Sequence, residues 1–310
     1  VSDLFLRKTS LIVGSGAGAL ELAPDQADTL SIRFQVQAYD LDTPTRAVIR
    51  VRNVSAQTAA QVQSEFTRVV LQAGYQTGAY GAIFDGTIVQ VRRGREDAAN
   101  SYIEIIAAEA DAARCFSIVN QTMAKGSTYK DRFQALGGAM DGVSPGYTPD
   151  LPSSALPRGR VFYGMARDHL RDLAFSTDTY WRVQGGQLQL IPIGGYLPDE
   201  AIVLNSASGM IGFPEQTNEG IKVRSLLNPK VYPGLRVKID NKSIQHATLS
   251  LGINGVDQNA FLPSIADDGL YRIILAEFTG DTRGNEWYTD MITIAASEAV
   301  TPALVNRGYS

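Results

Sequence analysis

The chain has 310 residues, 44% of them hydrophobic and 19% charged, a balance that supports buried cores and a length that suits two domains or three small ones. Its formal net charge of -4 argues against a protein that grips nucleic acid through phosphates, which needs a basic excess. A single cysteine, Cys115, excludes an intrachain disulfide and a Cys-based metal site, and two histidines, His169 and His246, leave little for a zinc cluster.

From the N-terminus, VSDLFLRKTSL has no signal-peptide core followed by a cleavage site, and no run of about 18 apolar residues predicts a membrane span. The expectation is a soluble intracellular product. Leu11-Ile12-Val13 then enters Gly14-Ser15-Gly16-Ala17-Gly18-Ala19, which matches the dinucleotide pattern G-x-G-x-x-A, with Asp40 about twenty residues on. That fold needs a helix of roughly ten residues directly after the glycines, to present its N-terminal amides to the pyrophosphate. Pro24 and Asp25 interrupt any such helix, and the next regular element is a strand from Leu30. The glycines therefore read as a hairpin tip between strands at 9–13 and 19–22, their use being freedom to take positive φ.

Residues 30–37 and 47–54 alternate apolar and polar with period two, as strands with one buried face do, and Asp42-Thr43-Pro44-Thr45 supplies the turn between them. A short helix is predicted over 56–66 with Ser55 as its N-cap. Strands follow at 68–75, 82–91 and 102–106, with a polar loop at 92–100. Five or six strands and one helix without βαβ alternation predict a small antiparallel barrel over residues 1–112.

Helical spacing appears over 108–123 and 129–140, and again around 165–174 after a loop rich in Gly, Pro and Ser at 141–158. Strands at 178–183 and 187–191 flank Gly185-Gly186, a hairpin signal. Residues 113–200 read as a small α/β domain. Strands return at 201–204, 220–226, 236–239, 245–251, 269–279 and 287–294, with Pro229 and Pro233 among the turns, and predict a second barrel over 201–300. A polar tail, 301–310, ends the chain. The fold class is mainly β with a smaller α/β part, two antiparallel β-barrels flanking an α/β domain.

Catalytic hardware is sparse. His169 lies in Arg167-Asp168-His169-Leu170-Arg171-Asp172, a solvated helix face, and His246 at a strand edge; neither accompanies a nucleophile in a strained turn. Cys115 reads as a core residue on an apolar helix face. Asp40 with Asp42, Asp267 with Asp268, and Glu286 with Asp290 are possible carboxylate pairs, but spatial separation defines such pairs and turn roles explain several of them. The densest polar stretch is Gly280-Asp281-Thr282-Arg283-Gly284-Asn285-Glu286-Trp287-Tyr288-Thr289-Asp290. It reads either as a hairpin loop whose aromatics cover a core edge or as a contact surface. In the second case Asp281, Arg283, Asn285, Trp287 and Tyr288 are the interface residues. No catalytic residue, metal or cofactor is expected.

The same stretch resembles the C-terminal barrel of baseplate hub proteins from contractile-tailed bacteriophages, the myoviruses. Residues 211–217 (IGFPEQT), 220–229 (GIKVRSLLNP), 237–241 (VKIDN), 42–53 (DTPTRAVIRVRN) and 84–91 (FDGTIVQV) are similar to the same family, in the same order. The resemblance covers nearly the whole chain, and none of its segments is catalytic. It implies two tail-tube-like barrels per chain and a structural role as a homotrimeric ring. Tube or tube-initiator proteins would lie above it, the central spike below and wedge proteins around, with a channel through which genomic DNA passes on ejection. The implied location is the virion tail baseplate, after synthesis in the host bacterial cytoplasm. The alternatives are a spike or hub component of a related contractile secretion system, a tail-associated peptidoglycan-cleaving enzyme and, more remotely, a nucleotide-dependent oxidoreductase.

Overall fold

Alternation in sequence becomes alternation in burial. In the computed structural model, which describes residues 6–15, 18–22, 30–40, 42–246 and 262–296, β1 (Arg7–Ser15) and β2 (Gly18–Leu22) form an antiparallel hairpin. Next, β3 (Ile32–Tyr39) turns Ile32, Phe34, Val36 and Ala38 inward, and β4 (Arg46–Arg52) does the same with Ala47, Ile49 and Val51. Helix α1 (Ala56–Ser64) starts where the Ser55 hydroxyl accepts the Thr58 N–H. Then come β5 (Arg68–Tyr75), β6 (Tyr80–Arg95) and β7 (Ser101–Ala108). The polar stretch from Arg92 does not begin a loop: β6 continues to Arg95, because Arg92 and Arg95 pair with Glu104 and Ser101 of β7.

The middle of the chain differs most from expectation. Helical spacing over 108–123 yields only α2 (Asp111–Phe116), after which Ser117 is extended and β8 (Ile118–Met123) begins. The run Ile118-Val119 with Thr122 carries β-branched side chains, and β8 finds a partner in β10, a strand that pattern alone did not show. After β8 come α3 (Tyr129–Gly138), with a Thr128–Asp131 capping box, the two-residue β9 (Ser144–Pro145), β10 (Arg160–Met165) and α4 (Ala166–Ser176). The hairpin of β11 (Thr179–Gln184) and β12 (Gln187–Pro192) turns at Gly185 and Gly186, both at positive φ as a tight two-residue turn requires. The last strands are β13 (Ile202–Leu204), β14 (Met210–Gln216), β15 (Ile221–Leu226), β16 (Arg236–Ile239), β17 (Leu270–Asp281) and β18 (Trp287–Ala295). The expected strand at 245–251 is described only at Gln245 and His246, of which Gln245 forms a one-residue bridge to Glu215; residues 247–251 and the tail 301–310 lie outside the described residues.

The fold is mainly antiparallel β with a smaller α part. Among the described residues thirteen strands join in one sheet whose main path runs β14-β15-β18-β17-β3-β4-β7-β6-β5-β1-β2. The N-terminal and C-terminal β regions are therefore continuous through the pairing of β3 with β17. One large apolar core lies under this sheet, from Leu11 and Phe34 through Val223 to Trp287. A second core, including Phe133, Leu136, Phe162, Leu170 and Trp181, fills the space between α3, α4, β8, β10 and the β11–β12 hairpin. Burial of this kind contributes about 25 cal/mol per Å² of apolar surface.

The glycine run is a β-hairpin, with Gly14 opposite Ala19 and Ser15 opposite Gly18, so the residues that leave the glycines, Gly18–Leu22, form a strand where a nucleotide fold needs a helix. No dinucleotide turn is formed. Neither Gly14 nor Gly18 takes the positive φ expected of it, and Gly16 lies outside the described residues. The requirement at Gly14 is space: a Cβ there would sit 2.9 Å from the Gly18 carbonyl oxygen.

Candidate assembly surface

The loop between β17 and β18 is built by its own first residue. Asp281 Oδ1 accepts the N–H groups of Arg283 at 2.8 Å and Gly284 at 3.0 Å, closing a tight Asx-type turn. Three neighbouring strands then hold the loop. From β1, the Arg7 guanidinium donates to the carbonyls of Asp281, Gly284 and Asn285 at 3.2, 2.7 and 3.1 Å. From β3, Arg33 pairs with Glu286 at 2.9 Å, and the Ile32 N–H donates to the Thr282 hydroxyl at 3.0 Å. From β4, Arg52 approaches Asp281 at 3.9 Å.

This scaffold divides the five expected contact residues. Trp287 is 1% exposed: it meets Phe34 edge-on with ring centroids 5.5 Å apart, under the Arg7 guanidinium. Its role is to cover the core edge. Arg283 and Asn285 project from the tip and are exposed, while Asp281 is spent on the turn. Tyr288 is half-buried on the opposite face of β18, under Arg224, whose guanidinium grips Asp290 in a bidentate pair at 2.7 and 2.9 Å. The exposed tip of the loop is polar and preorganised, without a large apolar side chain.

Beneath the sheet lies a feature that the sequence did not reveal. Strand β17 pairs with β16 over Leu270 to Arg272, then with β3 from Leu275 onward, and a bulge separates the two stretches. At this change of partner the Asp40 N–H donates to the Ile274 carbonyl at 2.7 Å. The Asp40 carboxylate lies 2.6 Å from Arg182 of β11 and 3.6 Å from Arg272 of β17, and the three residues are 0–2% exposed. Arg182 also donates to Gln189 at 3.0 Å, and Arg272 donates to the Gly195 carbonyl. Gly234, at φ +82, lets the chain pass this cluster, because a Cβ there would lie 2.8 Å from Arg182 Nη2. The Tyr180 hydroxyl beside Asp40 is held well above the usual tyrosine range, first by burial and then by the Asp40 charge. One carboxylate thus ties the N-terminal strands, the α/β part and the C-terminal strands together.

A second tie lies nearby. Glu109, just after β7, receives the Gly186 N–H at 3.3 Å at the tip of the β11–β12 hairpin and a hydrogen bond from Thr45. It lines a cleft of about 390 Å³ together with Asp85, Gln184, Gln189 and Tyr232. Burial raises the Glu109 carboxyl above the usual glutamate value, against the lowering effect of those hydrogen bonds, and the Asp85 charge raises it further. The folded chain therefore holds a proton at Glu109 that the unfolded chain releases at lower pH. Its contribution is largest below the ordinary glutamate pKa and is lost as pH rises through the raised one. Glu109→Gln should flatten this fall, so urea midpoints of variant and parent should diverge in the variant's favour as pH increases.

The remaining titratable residues are scattered. His169 bonds the Tyr163 carbonyl at 3.2 Å and meets Phe162 edge-on, and His246 is exposed. Cys115 is half-buried rather than core, its thiol turned toward Asp111 at 3.7 Å within a helix of only six residues. Asp42 is separated from Asp40 in role: it faces Arg171 at 3.3 Å and Arg114 at 3.7 Å. Among the described residues no group of three or more His, Cys, Asp or Glu side chains is placed to hold a metal ion. No helix among them is long and apolar enough to cross a membrane.

No protein-family model and no curated protein sequence matches the chain. Its fold is similar to that of several solved structures along almost its whole length. A tail protein from Neisseria meningitidis MC58 has a TM-score of 0.58 at 10% identity, over 95% of this chain and 99% of that one. The 43 kDa tail protein of prophage MuSo2 from Shewanella oneidensis has a TM-score of 0.55 at 8% identity, over 93% and 97%. The E. coli c3393 protein is a component of the type VI secretion system with structural similarity to the T4 bacteriophage tail proteins gp27 and gp5. It has a TM-score of 0.53 at 13% identity, over 91% and 78%. At these identities the likeness is one of fold.

Proposed function

We propose that the chain is a structural, non-enzymatic hub of a contractile phage tail baseplate. Three copies close a ring between the tail tube above and the central spike below, with wedge proteins around and a channel for DNA ejection. The observation that supports this most is a fold shared with a Neisseria tail protein and a prophage tail protein over 95% and 93% of the chain. Ring closure calls for a head-to-tail contact between copies. The large sheet suits one, since it ends at β2 with an outer edge unpaired among the described residues. A net charge of -4 suits a channel that DNA crosses without phosphate-driven capture.

The test is electron microscopy of assembled tails carrying a tagged chain. Label at the junction of tube and spike is expected; label along the tube shaft, or its absence from purified tails, contradicts the assignment. A second reading, a component of a contractile secretion system, is favoured by the likeness to the E. coli protein. It predicts that the tagged chain is recovered with a secretion spike and not with phage particles.

A further inference from the structure

The two-stranded sheet of β8 and β10 stands apart from the thirteen-stranded one. One face packs Val119, Met123 and Phe162 into the second core. The other carries Ile118, Val161 and Tyr163, which are 61%, 65% and 73% exposed. The Ala166 N–H donates to the Ser117 carbonyl at 3.0 Å, which fixes Gly164–Val119 and Phe162–Gln121 as the mutually bonded pairs. The N–H and C=O groups of Ile118, Asn120 and Thr122 therefore point away from β10, and β8 has no second strand partner among the described residues. The outer edge of β10 is not equivalent, because the His169 ring bonds its Tyr163 carbonyl.

Charge on the core-facing side of this small sheet is unbalanced. Arg132 of α3 is 6% exposed, and its Nε has no hydrogen-bond partner. It lines a small recess with Val119, Gln121 and Met123 of β8. Arg132 and Arg160 both lie against the Phe162 ring, at 5.3 and 5.1 Å from its centroid. Neither is within the 4.0 Å of a carboxylate that defines an ion pair among the described residues. Burial, and then the Arg160 charge, push Arg132 below the usual arginine value, and the more distant Asp172 offsets this only in part. A buried guanidinium without an anion is costly unless something supplies one.

We infer that the outer edge of β8 accepts an extended acidic segment of a partner protein as a third strand. On one face its carboxylates meet Arg132 and Arg160, and on the other its apolar side chains extend the surface of Ile118, Val161 and Tyr163. The open backbone edge supplies the hydrogen bonds of strand addition, and the two arginines select for acidic residues at alternate positions. A second copy pairing through its own β8 does not supply those carboxylates, since that strand, Ile118–Met123, contains no acidic residue.

The probe is a labelled peptide, Glu-Val-Glu-Tyr-Glu-Val-Glu, titrated with the full chain by fluorescence anisotropy beside its lysine-for-glutamate counterpart. The acidic peptide should bind about tenfold or more tightly than the basic one. Arg160→Glu, at an exposed position, should reverse that order. Thr122→Pro, which removes one outward N–H without breaking a bond to β10, should weaken binding by about tenfold with circular dichroism unchanged. Equal affinity for both peptides, no acidic-peptide binding at millimolar concentration, or binding indifferent to both substitutions would overturn the inference. So would self-association that Thr122→Pro abolishes and the peptide does not displace, because the edge would then belong to a second copy.

Discussion

Asp40→Ala should lower the stability of the chain by about 3–5 kcal/mol in urea unfolding, among the largest single losses expected. The carboxylate lies against Arg182 and Arg272, all three buried, and its removal takes this counter-charge from both guanidiniums. Desolvation of those groups has already been incurred in the fold, so the loss exceeds the net value of the pairs themselves. Asp42→Ala is the matched control. Its carboxylate faces Arg171 and Arg114 nearer the surface, at 3.3 and 3.7 Å, and a change of about 1 kcal/mol or less is expected. If the two variants lose the same amount, Asp40 is not the tie between the three parts of the chain.

Trp287→Ala should cost about 3–5 kcal/mol of stability in the isolated chain, whatever its effect on assembly. The indole is 1% exposed, packed edge-on to Phe34, and Gly280 is kept free of a side chain to make room: a Cβ there would lie 2.9 Å from Trp287 Cε3. An interface anchor would behave differently, leaving the free chain as stable as before and weakening only the contact. Arg283→Ala, at the exposed tip of the same loop, should stay within about 0.5 kcal/mol. Thermal unfolding of the two variants side by side separates core from contact within one hairpin.

Local pattern carried the sequence a long way and stopped where contacts became long-range. Strand alternation at β3 and β4, the Ser55 cap of α1 and the Gly185-Gly186 turn are written in neighbouring residues, and each formed as read. The helix expected through Met123 failed because β8 is decided by its partner, β10, about 40 residues later. Trp287 could be read as core cover or as contact anchor, since hydrophobicity alone does not say which side of a hairpin faces the sheet. The Asp40 cluster was invisible for a similar reason: Asp40, Arg182 and Arg272 are far apart in sequence, and only the partner change along β17 brings them together. Asp40 looked instead like the acidic residue of a nucleotide motif or half of a pair with Asp42. The one signal available was an acid just past a strictly alternating strand, and nothing in it names two arginines.

The central claim is that the chain assembles as a ring of three, and light scattering on the full chain at micromolar concentration tests it most directly. The account predicts a single species with three times the 33.5 kDa mass of the chain. A stable monomer under those conditions would contradict it.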